Sequence, residues 1–291
     1  MKGLNYILSG IVLRFHGIRL MLPVRILLLA ILSLLLSCNE EPIDWELDTH
    51  RPDLLVVEAV LTNERKAHEV KISRPVADPS DVPEPVEGAA IAIFDGTNAT
   101  LLSESSPGIY HTVPSFRAVY NKLYYLVIYN DGREYSAASF LVPVRRLDPL
   151  QYKRVQGQQN WYELVLHETQ DASMVEIWLD WSHLPAFRGQ PAEATQARIV
   201  YYTVKSIDVN QWFKPGKERV FFPAGTRVVR RKYSMNQYQE DFVRTMMAET
   251  EWRGGLFDVQ PGNVRTNLTQ GAVGYFSVST VVADSSVITP L

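Results

Sequence analysis

Apolar and polar positions alternate with a period of two through most of the chain beyond residue 53. Leu54 to Leu61 (LLVVEAVL) is rich in β-branched residues and runs into a polar turn at Asn63 to Lys66. His68 to Ile72 alternates again, so the two segments predict a hairpin. Asp78 to Glu87 contains Pro79, Pro83 and Pro85 and predicts a loop. Ala89 to Phe94 predicts a strand ending at Asp95-Gly96, a tight-turn signal, with Thr100 to Ser103 pairing back. Pro107-Gly108 turns the chain into Ile109 to Val113. Leu123 to Tyr129 (LYYLVIY) carries the strongest strand signal of this half, and Asn130-Asp131-Gly132 turns it into Glu134 to Phe140. Seven or so short strands at this spacing predict an immunoglobulin- or transthyretin-like β-sandwich over residues 53–143.

Two prolines and Arg145-Arg146 interrupt the pattern between Val142 and Pro149, as a linker would. Beyond it the expectation is a second β-rich domain, residues 144–291. Its strands are expected at Tyr162 to His167, Met174 to Trp181, Ala197 to Ile207, Arg219 to Phe222 and Thr226 to Tyr233. In Met174 to Trp181, Val175, Ile177, Leu179 and Trp181 share one face, and Glu176, Trp178 and Asp180 share the other. One segment changes period. Met235, Tyr238, Phe242 and Met246 recur at helical spacing, Ser234 and Gln237 fit a capping box, and Gly254-Gly255 provides a stop. A helix near 235–252 is expected, its apolar stripe covering one sheet of the second domain.

The N-terminal region follows a different logic. Met21 to Arg25 supplies a short basic segment, and Ile26 to Leu36 is apolar. As a helix that run spans roughly 16 Å, about half of a hydrocarbon core, which suits a removed signal and not a membrane anchor. Leu35-Leu36-Ser37-Cys38 closes it and reads as a lipobox. Residues 21–37 are then a lipoprotein signal peptide, and Cys38 is the acylated mature N-terminus. Residues 38–52 form a tether, and residues 1–20 an extension upstream of the expected start at Met21. Cys38 is the only cysteine. Once it is acylated, the mature domain has no disulfide, thiolate metal site or cysteine nucleophile. Asn39-Glu40-Glu41 with Asp44, Glu46 and Asp48 make the tether acidic. This reads either as a solvated spacer or as a signal for export to the outer face of the outer membrane.

Charge separates the halves: residues 39–149 carry a net −8 and residues 150–291 a net +1. Neither balance is that of a nucleic-acid binder. Lys214, Lys217, Arg219, Arg230 and Arg231, with Arg227 and Lys232, face only Glu218. They read as a solvated hairpin face or as an anion patch. The histidines are scattered singly, so no metal or other cofactor is expected. Glu176 and Asp180 sit ~13–14 Å apart along one strand, too far for the ~5 Å or ~6.5–9.5 Å separations of glycosidase carboxylate pairs. Trp178 shares their polar face. It is either roofed by a loop or by the 235–252 helix, or it is free to stack on a sugar or anchor a partner. Trp212 and Phe213 form an aromatic pair expected on a loop and are further candidate contacts.

The run Gly255 to Leu268 (GLFDVQPGNVRTNL), followed by Gly274-Tyr275-Phe276-Ser277-Val278-Ser279, resembles the closing signature of an uncharacterised, domain-of-unknown-function lipoprotein family of Bacteroidota. The front half agrees through Leu55 to Glu64, Val70 to Arg74 and Val86 to Ala89. Asn121 departs from the family's glycine before the tyrosine-rich strand. The resemblance implies an outer-membrane lipoprotein encoded near TonB-dependent receptors and carries over no catalytic residues. Two expectations follow. One is a non-catalytic binding or accessory module beside such a transporter or a glycan. The alternative is a cell-envelope glycan-active hydrolase whose carboxylates converge from distant strands.

Overall fold

The computed structural model describes residues 53–76, 78, 80–205, 212–213, 219–250 and 264–291, all within one unit spanning His50–Leu291. The signal segment, Cys38 and the acidic tether lie outside the described residues. The fold is mainly β.

The N-terminal alternation forms two sheets around one core. The first sheet contains β1 (Leu55–Thr62), β2 (Glu69–Ser73), β5 (Ser103–Ser106), β6 (Ile109–His111) and β16 (Ala272–Ser279), in the order β16-β1-β2-β6-β5. The second orders β4 (Ala99–Leu101), β3 (Ala90–Phe94), β7 (Leu123–Asn130) and β8 (Arg133–Phe140) as β4-β3-β7-β8. Leu55, Val57, Leu61, Ile72 and Phe276 from the first sheet share one buried cluster with Ile91, Ile93, Leu126 and Ile128 from the second. Every second residue of β1 and β7 is buried, as period two requires. At the Asp95-Gly96 turn, the Asp95 carboxylate accepts hydrogen bonds from the Thr97 and Asn98 amides at 3.0 and 2.8 Å. Lys122 lies 2.5 Å away. The Lys122 hydrogen bond first, and the amides after it, hold the Asp95 pKa at about 2. Asn121 takes φ 62°, a left-handed conformation that asparagine tolerates better than most residues.

The expected boundary at residue 143 does not separate the strands by sheet. β16, from the far end of the chain, runs parallel to β1 with Leu55 opposite Ala272 and Thr62 opposite Ser279. Its approach depends on Gly274. This residue has φ +96°, and a Cβ there would lie 2.1 Å from the Val57 carbonyl oxygen.

A third sheet orders β13 (Trp212–Phe213), β12 (Gln196–Thr203), β11 (Ser173–Asp180), β15 (Arg227–Ser234) and β17 (Val281–Val287) as β13-β12-β11-β15-β17. A small sheet, β14 (Phe222–Pro223), β10 (Trp161–Leu164) and β9 (Tyr152–Arg154), contributes Tyr162 and Phe222 to the core formed by Val175, Ile177, Leu179 and Val228. The segment expected as a strand from Arg219 pairs only at Phe222 and Pro223.

Two helices occur among the described residues, α1 (Ala192–Thr195) and α2 (Gln237–Thr250), besides a 3₁₀ turn at Pro185–Phe187. Helix α2 begins later than the capping-box reading predicts. Ser234 is still in β15, opposite Ser173, and its hydroxyl accepts from the Thr280 amide. Asn236 caps instead, accepting from the Gln239 amide at 3.0 Å. Val243 and Met235 are buried with Ala172 and Val204. Phe242 packs on Tyr275 of β16 with ring centroids 4.9 Å apart, while Tyr238 is exposed. The stripe thus reaches a strand of the first sheet as well as the end of the third. No helix among the described residues is long and apolar enough to cross a membrane.

Candidate functional site

The outward face of the third sheet carries a continuous polar ladder ending in an exposed aromatic ring. On β11, Val175, Ile177 and Leu179 point into the core, so Glu176, Trp178 and Asp180 point away from it. Trp178 is 44% exposed and is not roofed by α2 or by any other described segment. Opposite it on β12 stands Arg198, whose guanidinium carbon is 5.1 Å from the indole centroid, a cation–π arrangement. Arg198 Nε donates to Glu176 Oε1 at 2.6 Å. The other Glu176 oxygen accepts from the Tyr233 hydroxyl at 3.3 Å. Tyr233 in turn accepts from Arg231 Nε at 2.8 Å. Arg231 Nη2 then donates to Glu64, in the turn after β1, and Lys66 lies 3.2 Å from the same Glu64 oxygen.

Charges therefore alternate along Arg198, Glu176, Arg231, Glu64 and Lys66, with Tyr233 as a neutral bridge. Burial pushes the Glu64 pKa up, but the charges of Arg231 and Lys66 and their hydrogen bonds outweigh it and hold the carboxyl below its ordinary value. Burial raises the Tyr233 pKa, so its hydroxyl stays protonated and can donate to Glu176. A carboxylate with both oxygens occupied is an orienting group. It fixes Arg198, and Arg198 fixes the indole ring. The ladder thus presents a preorganised flat surface made of one ring and one guanidinium. Asp180, four residues along the same face, accepts from the Ser182 amide at 2.9 Å. Hydrogen bonds from Ser182 hold its pKa below the ordinary value.

The described members of the basic set singled out in the sequence do not share one face. Arg230 and Arg231 are adjacent on a strand and so point to opposite faces. Arg231 joins the ladder. Arg230 is turned inward, 9% exposed, and holds Asp284 through Nε–Oδ1 at 2.9 Å and Nη2–Oδ2 at 2.5 Å. Lys232 also points inward and meets Asp171 at 3.3 Å. Arg230 and Lys232 line a small cavity of about 40 Å³ with Tyr201, Leu150, Leu164 and His167, room for one or two waters. Burial raises the Tyr201 pKa to about 12. Arg219 is exposed, and Lys214 and Lys217 lie outside the described residues. Trp212 and Phe213 form the edge strand β13, pairing with Thr203 and Tyr202, in place of the expected loop. Among the described residues no three His, Cys, Asp or Glu side chains gather as metal ligands would.

Glu64, Arg198 and Tyr233 were not candidates from sequence. Arg198 was within reach of a period-two argument, since it shares the face of Tyr202 on a strand whose other face is apolar. Glu64 was not, because its partner Arg231 lies 167 residues away.

The family model described as a domain of unknown function, DUF4249, matches residues 40–285. The chain belongs to this family. The DUF4249 match starts two residues after Cys38 and runs into β17, so it takes in both halves of the ladder and the β1–β16 pairing. No curated protein matches the chain.

Proposed function

We propose that this DUF4249 chain is an outer-membrane lipoprotein, anchored through acylated Cys38 and exposed at the cell surface on its acidic tether. There it serves as a non-catalytic binding or accessory module beside a TonB-dependent receptor. In this reading the two N-terminal sheets are an immunoglobulin- or transthyretin-like sandwich completed by β16, and the third sheet is the recognition element.

The observation that carries the reading is the Trp178–Arg198 pair. A large ring left 44% exposed on a sheet face offers contact area to a partner, and here it is held in place by a hydrogen-bonded ladder. Trp and Arg are the residues most enriched where binding energy concentrates. Both Glu176 oxygens accept hydrogen bonds and Asp180 accepts from Ser182, which favours an orienting role for these carboxylates over acid–base work. The test is to recover the anchored wild-type protein and Trp178→Ala from crosslinked cells. Receptor recovery should drop at least fivefold for the variant while it remains folded. Equal recovery from both would refute the reading.

A further inference from the structure

The outward face of the second sheet is mostly apolar, interrupted by Ser136 on β8. β7 directs Leu123, Tyr125, Val127 and Tyr129 outward, and all but Val127 are exposed, at 41%, 39% and 53% respectively. Beside them β3 presents Ala92 and Phe94, β4 presents Leu101 at 73% exposure, and β8 presents Ala138 and Phe140. Phe94 and Tyr125 touch, with centroids 6.4 Å apart. Charge appears only at the ends: Lys122 with Asp95 at one, and Asp131, Arg133 and Glu134 at the other. A strand that is apolar on both faces belongs to a sheet covered on both sides. Among the described residues only one side is covered by protein.

The entry point of the chain indicates what covers the other. Arg133 lies 3.9 Å from Asp53, the first described residue. Arg74 bridges the Asp53 carbonyl and the Asp131 carboxylate, each at 3.4 Å. Asp131 is in the turn two residues beyond Tyr129, so the polypeptide enters the fold at the Tyr129 end of the apolar face. Cys38 is fifteen residues upstream, a reach of at most ~50 Å. The face itself is small. Four strands ~4.8 Å apart and three to eight residues long give roughly 400 Å², half of the ~800 Å² that each partner contributes to a stable dimer. Such a face is too small to hold a free partner and sufficient for a surface that a short tether keeps close. Tyrosine, with an apolar ring and a polar tip, is the residue type favoured at a lipid–water boundary.

We infer that the outward face of the β4-β3-β7-β8 sheet rests on the phospholipid surface to which Cys38 is anchored, leaving the Trp178 face of the third sheet to a partner. This rests on the acylation of Cys38 proposed above. Because Cys38 is the only cysteine and is consumed by lipid, Leu101→Cys, Tyr129→Cys or Ser285→Cys each gives the acylated full-length chain a single free thiol for a nitroxide label. The labelled proteins are placed in vesicles of phosphatidylethanolamine and phosphatidylglycerol, and collision with a water-soluble nickel chelate is measured against detergent micelles. In vesicles, labels at 101 and 129 should lose at least fivefold of their collision rate, while the label at 285, on β17, should not change. Equal accessibility at all three positions would overturn the inference. So would protection that appears in micelles and grows with protein concentration, because the cover would then be a second copy. Intact mass separates the two readings: an acylated chain with open labels defeats this inference alone, whereas a chain without acyl mass defeats both.

Discussion

Arg231 of β15 and Glu64 of the β1–β2 turn meet guanidinium to carboxylate across 167 residues of sequence, and their contact ties the third sheet to the first. Both side chains are mostly buried, 25% and 31% exposed, so neither charge is well solvated without the other. Arg231→Met should lower stability by about 1–2 kcal/mol, below the ~3–5 of a fully buried broken pair. The Glu64 pKa is depressed in the folded state. Its contribution is therefore complete above the unfolded value near 4.5 and is lost as pH falls through the lower folded value. Thermal melts from pH 6 down to pH 3 should show wild type losing an advantage over Arg231→Met. Parallel curves would show that the pair contributes nothing.

His68 sits four residues from Glu64 and titrates in a different window. It is buried, its Nε2 is 3.1 Å from the Glu64 carbonyl, and its ring packs edge-on against Phe116. Burial first, with nearby Lys66 adding to it, lowers its pKa. A depressed histidine takes up its proton more readily when unfolded, so stability falls as pH drops below the unfolded value near 6.5. The loss continues until the lower folded pKa is reached. His68→Gln should flatten the melting temperature between pH 7 and pH 5. An unchanged slope would place the titrating group elsewhere.

How far the sequence could be read depends on whether partners are local. Period two located nearly every strand and gave the correct outward direction to Glu176 and Trp178, because burial of Val175, Ile177 and Leu179 decides both. The same rule applied to Thr226 to Tyr233 separates Arg230 from Arg231 and dissolves the basic patch. A count of charges along the segment hides this. The inward turn of Arg230 and Lys232 was not legible, since it is tolerated only with Asp284 and Asp171 as partners, and these come from distant segments. The β1–β16 pairing was illegible for the same reason. The sequence does hint at Gly274, where two backbones approach, but not at which backbone. Ser234 and Gln237 have the right spacing for a cap, yet Ser234 is kept in the sheet by its pairing with Ser173.

Gly274→Ala tests that close approach directly. The added methyl would fall 2.1 Å from a backbone oxygen that cannot swing aside, at a φ that side chains rarely adopt. The variant should lose about 3 kcal/mol or more, and hydrogen exchange should quicken first along β1 and β16. Gly96→Ala, with open space around its Cβ at φ +87°, should lose only the ~1 kcal/mol of backbone strain. If the two variants melt together, the β1–β16 contact is looser than described.

Neighbours on β11 should respond in opposite ways. Ile177 is 2% exposed and Trp178 is 44% exposed. Ile177→Ala removes buried methyl groups and leaves a cavity, a loss of about 2–5 kcal/mol. Trp178→Ala removes a larger side chain, but one nearly half exposed and packed on the outer face of the sheet, so it should cost clearly less, about 1–2 kcal/mol. Differential scanning calorimetry on the pair separates a contact surface from a core. A large drop for Trp178→Ala would assign the indole a packing role and remove the basis for a recognition surface.

Cys38→Ser asks whether the address read from the N-terminal pattern is correct. One acyl chain holds a protein to a bilayer only reversibly, whereas the two or three on a lipoprotein cysteine hold it firmly. The wild-type protein should therefore stay with the outer-membrane pellet through a high-salt wash and carry the added mass of those chains on a chain beginning at residue 38. The serine variant should move to the soluble fraction while keeping its melting temperature, because none of the described strands includes Cys38. If the variant is retained in the washed pellet, the attachment is not lipid on Cys38. The apolar face of the second sheet would then need an occupant other than the bilayer beneath the tether.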